Sequence, residues 1–369
     1  MYNLNHIQNI GGYCMGTNTK TLSGRSYYYD NIKGFLIILV VFGHCFFYSQ
    51  ENPVINVISD FIYMFHMPAF VFVSGYFGKS ENARSSKSII KLIFLYVVFN
   101  SAVGYILGEH YFLTPADSFW YLLALITWRI TADKIAKLKE VMLILFTISI
   151  FAGFFHSIDN TMALSRTIAF YPYYMAGYLL SKEKSGEMEN IPYKKRFPKG
   201  LLISAGLILA GIIAYRIFEY SDSNLLMSAY SHPLDAFGRI VLYIIAFGAI
   251  YALRLFGLNR KIPLISSFGK NSIGIYLFHR PITIFFERDY SGDAISMIGI
   301  SVLLTLIICL LFGNDYVALA INKVSAGFAE LFSEEERDKK SVPKTVAIAI
   351  IIVIGLCFIF QIARRYYYF

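Results

Sequence analysis

Apolar residues run through this chain in long blocks divided by short polar connections. A helix needs about 20 such residues to cross roughly 30 Å of hydrocarbon. Blocks approaching that length are expected as helices at 34–49, 54–78, 89–108, 118–131, 141–156, 165–181, 200–218, 237–256, 272–288, 295–313 and 344–363. The stretch 316–332 carries apolar residues on one face and is expected as an amphipathic surface helix. The charged run Ser333–Lys344 then sets the last block apart. The longest polar connection, Ser181–Lys199, is a basic loop rather than a linker between domains, and no internal repeat stands out. The expected fold is therefore all-α, a polytopic transmembrane helix bundle of about 10–11 spans. Its parts would be a cytoplasmic N-terminal segment at 1–33, a membrane domain at 34–332, and a charged connection with an additional C-terminal membrane helix at 333–369.

Composition supports this picture and narrows it. Of 369 residues, 56% are hydrophobic and 15% charged, with a mean hydropathy of +0.54. A typical soluble domain is about 25% charged. The 33 Phe and 28 Tyr exclude a disordered chain, and the four cysteines show no pairing logic. The net charge of +9 does not imply nucleic acid, because surplus Lys and Arg in such a chain serve topology first. With the N-terminus cytoplasmic and the blocks alternating, 26 of the 33 Lys and Arg fall inside. The other seven are Arg166, Arg216, Arg239, Arg280, Arg288, Arg364 and Arg365. Acidic residues divide 13 to 11, as a rule based on Lys and Arg alone predicts. No cleavable signal is expected before the first block, and the expected location is the cell (plasma or inner) membrane, with multiple passes. The clusters Tyr27–Tyr29 and Tyr366–Tyr368 are expected as interfacial anchors.

Ionisable residues inside a span are costly and usually line a site. His44 lies about ten residues past Gly34, hence roughly 15 Å from the cytoplasmic face. His66 enters from the far side about twelve residues after Val54, and His279 lies about eight past Asn271; both come to about 12 Å from that face. Three blocks thus bring an imidazole to similar depth. Imidazole is the usual general base near neutral pH, and Gly43 leaves room beside His44 for another group. Cys45 is an alternative nucleophile, but adjacent helical residues point about 100° apart. Asp30, fourteen residues before His44, would sit about 21 Å away on one helix and could not be its carboxylate partner. Tyr171, Tyr173 and Tyr174 could stack on a sugar or simply pack. No metal site is expected.

Several motifs recur in order. They are Asp30-x-x-Lys33-Gly34, Val40-Val41-Phe42-Gly43-His44, Phe65-His66-Met67-Pro68 and Ser74-Gly75-Tyr76. There follow Trp120-Tyr121-Leu122 with Leu125-Ile126 and Trp128-Arg129, then Ser165-Arg166-Thr167 with Phe170, Pro172 and Gly177. Last come Gly269-Lys270-Asn271-Ser272 with Ile275-Tyr276 and His279. Across about residues 27–285 this set resembles the acyltransferase 3 family, and within it the fucose 4-O-acetylase-like branch.

The resemblance implies a membrane O-acyltransferase with no bound cofactor, drawing its acyl group from cytoplasmic acyl-CoA, most simply acetyl-CoA. The acceptor would be a hydroxyl of a cell-surface or lipid-linked saccharide. The family's motif of a basic residue, ten intervening positions and a histidine maps onto Lys33 and His44. Lys33 departs from the Arg common there and lacks its bidentate fork. An Arg-x-x-Arg motif is not evident; Arg84, Lys87 and Lys91 occupy that loop. His44 would then be the general base, with Lys33, Lys87 and Lys91 meeting the phosphates of acyl-CoA. His66, Tyr76, Arg166 and His279 would seat the acceptor or stabilise the oxyanion. A different class of function, a glycan exporter using the histidines as a proton relay, competes with this. The orientation has a direct test. Cys14, as the sole cysteine, should react with a membrane-impermeant maleimide only from the cytoplasmic side of sealed vesicles; labelling from outside would invert the topology.

Overall fold

Helices make up nearly all the regular structure in the computed structural model, which describes residues 27–46, 52–108, 114–181, 188, 190–218, 223–226, 228–290 and 293–332. No strand occurs among them. The helices are α1 (Tyr27–His44), α2 (Pro53–Tyr63), α3 (His66–Gly78), the single turn α4 (Glu81–Arg84), α5 (Ser86–Leu107), α6 (Trp120–Ile135) and α7 (Val141–Ala152). They continue with α8 (Leu164–Leu180), α9 (Tyr193–Phe218), α10 (Asp235–Phe256), α11 (Pro263–Lys270), α12 (Ser272–Asp289), α13 (Ala294–Phe312) and α14 (Asp315–Glu330). Ten of the eleven expected blocks fall on these helices. The eleventh, 344–363, lies outside the described residues, as do 1–26 with Cys14, the run Ser333–Lys344, Cys357, Arg364, Arg365 and Tyr366–Tyr368. Among the described residues four stretches are long and apolar enough to cross a membrane: Pro53–Gly78, Ser86–Leu107, Asp235–Phe256 and Ala294–Phe312.

Two differences from the sequence pattern bear on the site. The block 54–78 is not one helix but two, parted at Met64 and Phe65. Pro68 explains the break: it has no N–H to give the Met64 carbonyl, and its ring would clash with that oxygen in a continuous helix. His66 consequently opens α3 rather than sitting in mid-helix. The first helix also starts at Tyr27, seven residues before the apolar block, and ends at His44. Its first turns are buried although polar, so hydropathy hides them. Tyr28 and Tyr29 are each 1% exposed, which makes them core residues and not interfacial anchors. The Tyr28 hydroxyl donates to the Arg254 carbonyl. Asn31 donates to the carbonyls of Leu258 at 2.8 Å and Arg260 at 2.9 Å and accepts from the Ser266 hydroxyl at 2.6 Å.

Two close helix contacts organise the bundle. A Cβ built on Gly34 would lie 2.0 Å from the Ile265 carbonyl oxygen, and one on Gly269 would lie 1.7 Å from the Asp30 carbonyl oxygen. The backbones of α1 and α11 therefore touch. The same holds between α3 and α8, where a Cβ on Gly177 would lie 1.9 Å from the Phe72 carbonyl oxygen and one on Gly75 2.0 Å from that of Tyr174. Small residues permit such approach, and tight van der Waals packing is what holds apolar helices together where burial from water offers little. Around these crossings lies an aromatic core. Tyr174 packs 5.3 Å from Trp128 and Tyr173 packs 4.9 Å from Phe247, centroid to centroid.

Arg239, expected among the charges of the outer face, is buried at 2% exposure. It donates to the carbonyls of Leu225 at 2.5 Å, Ser149 at 2.6 Å and Ser228 at 2.9 Å. Helix α14 exposes Tyr316, Leu319 and Val324 and buries Ser325 and Ala329. It lies along α5 through the stacked rings of Phe94 and Phe328, 4.6 Å apart. Enlarging the α3–α8 contact should be costly. Gly177→Val should destabilise the protein by about 3 kcal/mol, the upper part of the usual range for overpacking, and lower its melting temperature in detergent by several degrees; an unchanged melting temperature would contradict the backbone contact.

Candidate active site

Three imidazoles from three helices meet where α1 ends. His44 is the last residue of α1 and 7% exposed, while His66 on α3 and His279 on α12 are fully buried. The rings of His44 and His279 lie 5.2 Å apart, tilted by 56°. Tyr63, closing α2, stands edge-on to His44 at 6.2 Å and to His66 at 5.0 Å. Gly43 admits the end of α2: a Cβ there would come within 3.3 Å of Ile62 Cγ2. His66 Nδ1 lies 2.7 Å from the Ile62 carbonyl oxygen, and His279 Nδ1 lies 2.7 Å from that of Tyr276. A carbonyl only accepts, so each Nδ1 donates, and in the neutral ring Nε2 carries the free lone pair. Neither of these two Nε2 atoms has a hydrogen-bond partner among the described residues.

A set of charged side chains surrounds the rings. Arg280, fully buried, pairs through Nε with the carboxylate of Asp117. Its Nη1 donates to the His44 carbonyl at 3.3 Å, the Thr283 hydroxyl at 3.0 Å and Glu287 Oε1 at 3.0 Å. Residues 280, 283 and 287 share one face of α12 because three- and four-residue steps stack on a helix. Pro281 follows directly and leaves the Leu277 carbonyl without its helical donor. Arg166, at the start of α8, lays its guanidinium 5.4 Å from the centroid of the Trp120 ring, with Asp117, Tyr63 and Tyr276 within electrostatic reach. Its Nε is buried and has no partner among the described residues. A buried imidazole and a buried guanidinium are groups able to remove a proton and to stabilise an oxyanion.

The other residues singled out from the sequence lie elsewhere. Tyr76 stacks on Tyr29 at 4.1 Å, so it belongs to the opening turns of α1, fifteen residues and about 22 Å along that helix from His44. Lys33 stands at the same end, its Nζ 5.8 Å from the Phe77 ring centroid. Lys87 pairs with Glu330 at 3.0 Å and Lys91 donates to Asn322 at 2.8 Å, so both join α5 to α14. Arg84 pairs with Asp133 at 3.0 Å. Cys45 is buried, its thiol 3.4 Å from the Val41 carbonyl oxygen. Tyr173 and Tyr174 are wholly buried and offer no face to a sugar. Near the start of α1 an apolar groove of about 300 Å³ is lined by Asn31, Ile32, Phe35, Leu253, Phe256 and Leu258 among others.

Tyr63, Asp117, Arg280 and Glu287 were not anticipated as site residues. Arg280 and Glu287 carried a usable signal, since an ionisable residue within an apolar helix marks a site. Asp117 carried none, being 163 residues from its partner and in a short connection. Among the described residues no group of three or more His, Cys, Asp or Glu side chains is arranged to hold a metal ion.

The fold and site together define a helical protein with a buried imidazole pair flanked by guanidinium groups. The sequence profile of the acyltransferase 3 family, described as an acyltransferase domain, matches residues 26–314. The chain belongs to this family. It is also similar to Nodulation protein NolL of Sinorhizobium fredii (strain NBRC 101917 / NGR234), 36% identical over 75 residues. That match spans 19% of this chain and 20% of the relative, about a fifth of each. No solved structure matches.

Proposed function

We propose that the protein is a multi-pass enzyme of the cell membrane that moves an acetyl group from cytoplasmic acetyl-CoA to a hydroxyl of a cell-surface or lipid-linked saccharide, with His44 as general base. The observation that carries this reading is the 5.2 Å approach of His44 and His279 within a polar, buried cluster. An alcohol is a poor nucleophile at neutral pH. His44 takes the hydroxyl proton as the oxygen attacks the thioester carbonyl. The tetrahedral intermediate collapses by breaking the carbon–sulfur bond, and the proton passes from the imidazolium to the departing thiolate. Atoms and charge balance without any further reactant. The guanidinium of Arg166 supplies N–H donors for the oxyanion, and the Nε2 lone pair of His279 can accept from an acceptor hydroxyl beside the reacting one.

Lys33 suits the phosphates of acetyl-CoA. It lies eleven residues before His44 on one helix, about 16 Å along the axis, so an extended pantetheine arm has α1 to follow from one to the other. The acceptor follows the resemblance to the fucose 4-O-acetylase-like branch, which favours a neutral sugar.

The test uses native membranes carrying the full chain, supplied with radiolabelled acetyl-CoA, and reads alkali-labile label in the saccharide fraction. His44→Gln should reduce transfer by about 10²–10⁴-fold, the usual worth of a positioned base. Transfer near the unsubstituted level at matched expression would refute the role of His44. In the same assay Lys33→Ala should raise the KM for acetyl-CoA and Lys87→Ala should leave it within about twofold, since an exposed ion pair contributes little; the reverse ranking would move the phosphate site to α5.

A further inference from the structure

The carboxylate that holds Arg280 comes from a strained piece of backbone. Asp117 opens the turn that leads into α6 with φ 44°, the left-handed region that side chains bearing a Cβ seldom occupy. Asp tolerates it better than most residues, but such conformations persist only where the surroundings enforce them, and they cluster at functional sites. Three contacts enforce this one. Asn100 Oδ1 accepts from the Ala116 N–H at 2.7 Å. The Tyr276 hydroxyl donates to the Ser118 carbonyl at 2.6 Å. The Asp117 carboxylate, its side chain 9% exposed, pairs with Arg280. Two of the three partners, Tyr276 and Arg280, stand on α12 on either side of His279.

Arg280 then reaches the other histidine. The last carbonyls of a helix have no partner within it, and the Arg280 guanidinium donates to the carbonyl of His44, the final residue of α1. One buried side chain is thus fixed by Asp117 at Nε, braced by Glu287 on its own helix, and bonded to the residue that bears the proposed base. A guanidinium with its planar fork of donors can meet these directions together, whereas an ammonium cannot.

We propose that Asp117 and Arg280 are a positioning pair for acyl transfer: Asp117 aims Arg280, and Arg280 sets the end of α1 that carries His44 against the helix that carries His279. Neither side chain touches the reacting atoms. The pair acts through the placement of the two imidazoles, and the inference rests on His44 being the base.

The experiment measures radiolabelled acetyl transfer from acetyl-CoA in native membranes, with rates normalised to folded protein and melting temperatures taken in detergent. Asp117→Asn and Asp117→Gly remove the carboxylate yet accept the left-handed turn, glycine with less strain than the native residue. Both should melt close to the unsubstituted protein while maximal turnover falls about 10²-fold, the usual consequence of a 1 Å misplacement, with the KM for acetyl-CoA within twofold. Arg280→Lys should lose a similar factor. Adding Asp117→Asn to Arg280→Lys should cost little more, because both changes break one linkage and their effects then do not multiply. Unchanged turnover in the two Asp117 variants, or losses that multiply in the double variant, would overturn the pair. So would a rise in KM at constant turnover, or failure of both Asp117 variants to fold, which would make the contact a support of the bundle alone. Normal transfer in His44→Gln would strike the underlying assignment of the base. Normal transfer in Asp117→Asn beside an inactive His44→Gln would strike only the positioning pair.

Discussion

The backbone contact between α1 and α11 sets the geometry on which the site depends. Gly34 and Gly269 let the two main chains touch, with the Ile265 and Asp30 carbonyl oxygens standing where a side chain would otherwise be. From that crossing α1 runs ten residues, about 15 Å, to His44, while the other chain leaves α11 at Lys270 and enters α12 at Ser272, the helix that carries His279. The two rings end 5.2 Å apart. The contact holds the first and the twelfth helix in register, although 235 residues separate their histidines.

Polar groups inside such a bundle are tolerated only when matched, because an unpaired buried polar group or charge is expensive. Asn31 satisfies two carbonyls of the connection before α11, Arg239 satisfies three, and Arg280 joins two carboxylates, a hydroxyl and the end of α1. These residues fix elements whose packing alone leaves several arrangements open. The histidines differ in kind. His66 and His279 each satisfy one nitrogen locally and keep the other as a buried acceptor. Near His44, Nε2 of His66 and Nε2 of His279 are buried and have no partner among the described residues.

Most of the helical architecture was legible from hydropathy, since long apolar runs have few alternatives to helix in an apolar solvent. His44, His66 and His279 were also legible, as ionisable groups within those runs, and Arg166 was named through its motif. Five things escaped. The break before His66 depended on one proline acting four residues upstream, which a window average conceals. The early start of α1 was hidden because Tyr28, Tyr29 and Asn31 are buried by packing and hydrogen bonds rather than by being apolar. Arg280 was read as a topological charge because sequence shows sign and position, not the partner. Asp117 was beyond reach for the same reason, as nothing local distinguishes a loop carboxylate that crosses 163 residues to its guanidinium. Tyr76 was misplaced by its motif: it lies near His66 in sequence, but α3 carries it away to the opposite end of α1.

On the proposed function, a thioester and an acceptor hydroxyl meet beside the His44 imidazole. An experimental structure of the full chain with a non-reactive acetyl-CoA analogue, its sulfur replaced by methylene, tests this most directly. The expected density places the phosphates by Lys33, the arm along α1 and the acetyl carbonyl next to the His44 ring, with Arg166 turned towards its oxygen. An acetyl group bound away from that cluster, with His44 packed against protein alone, would contradict it.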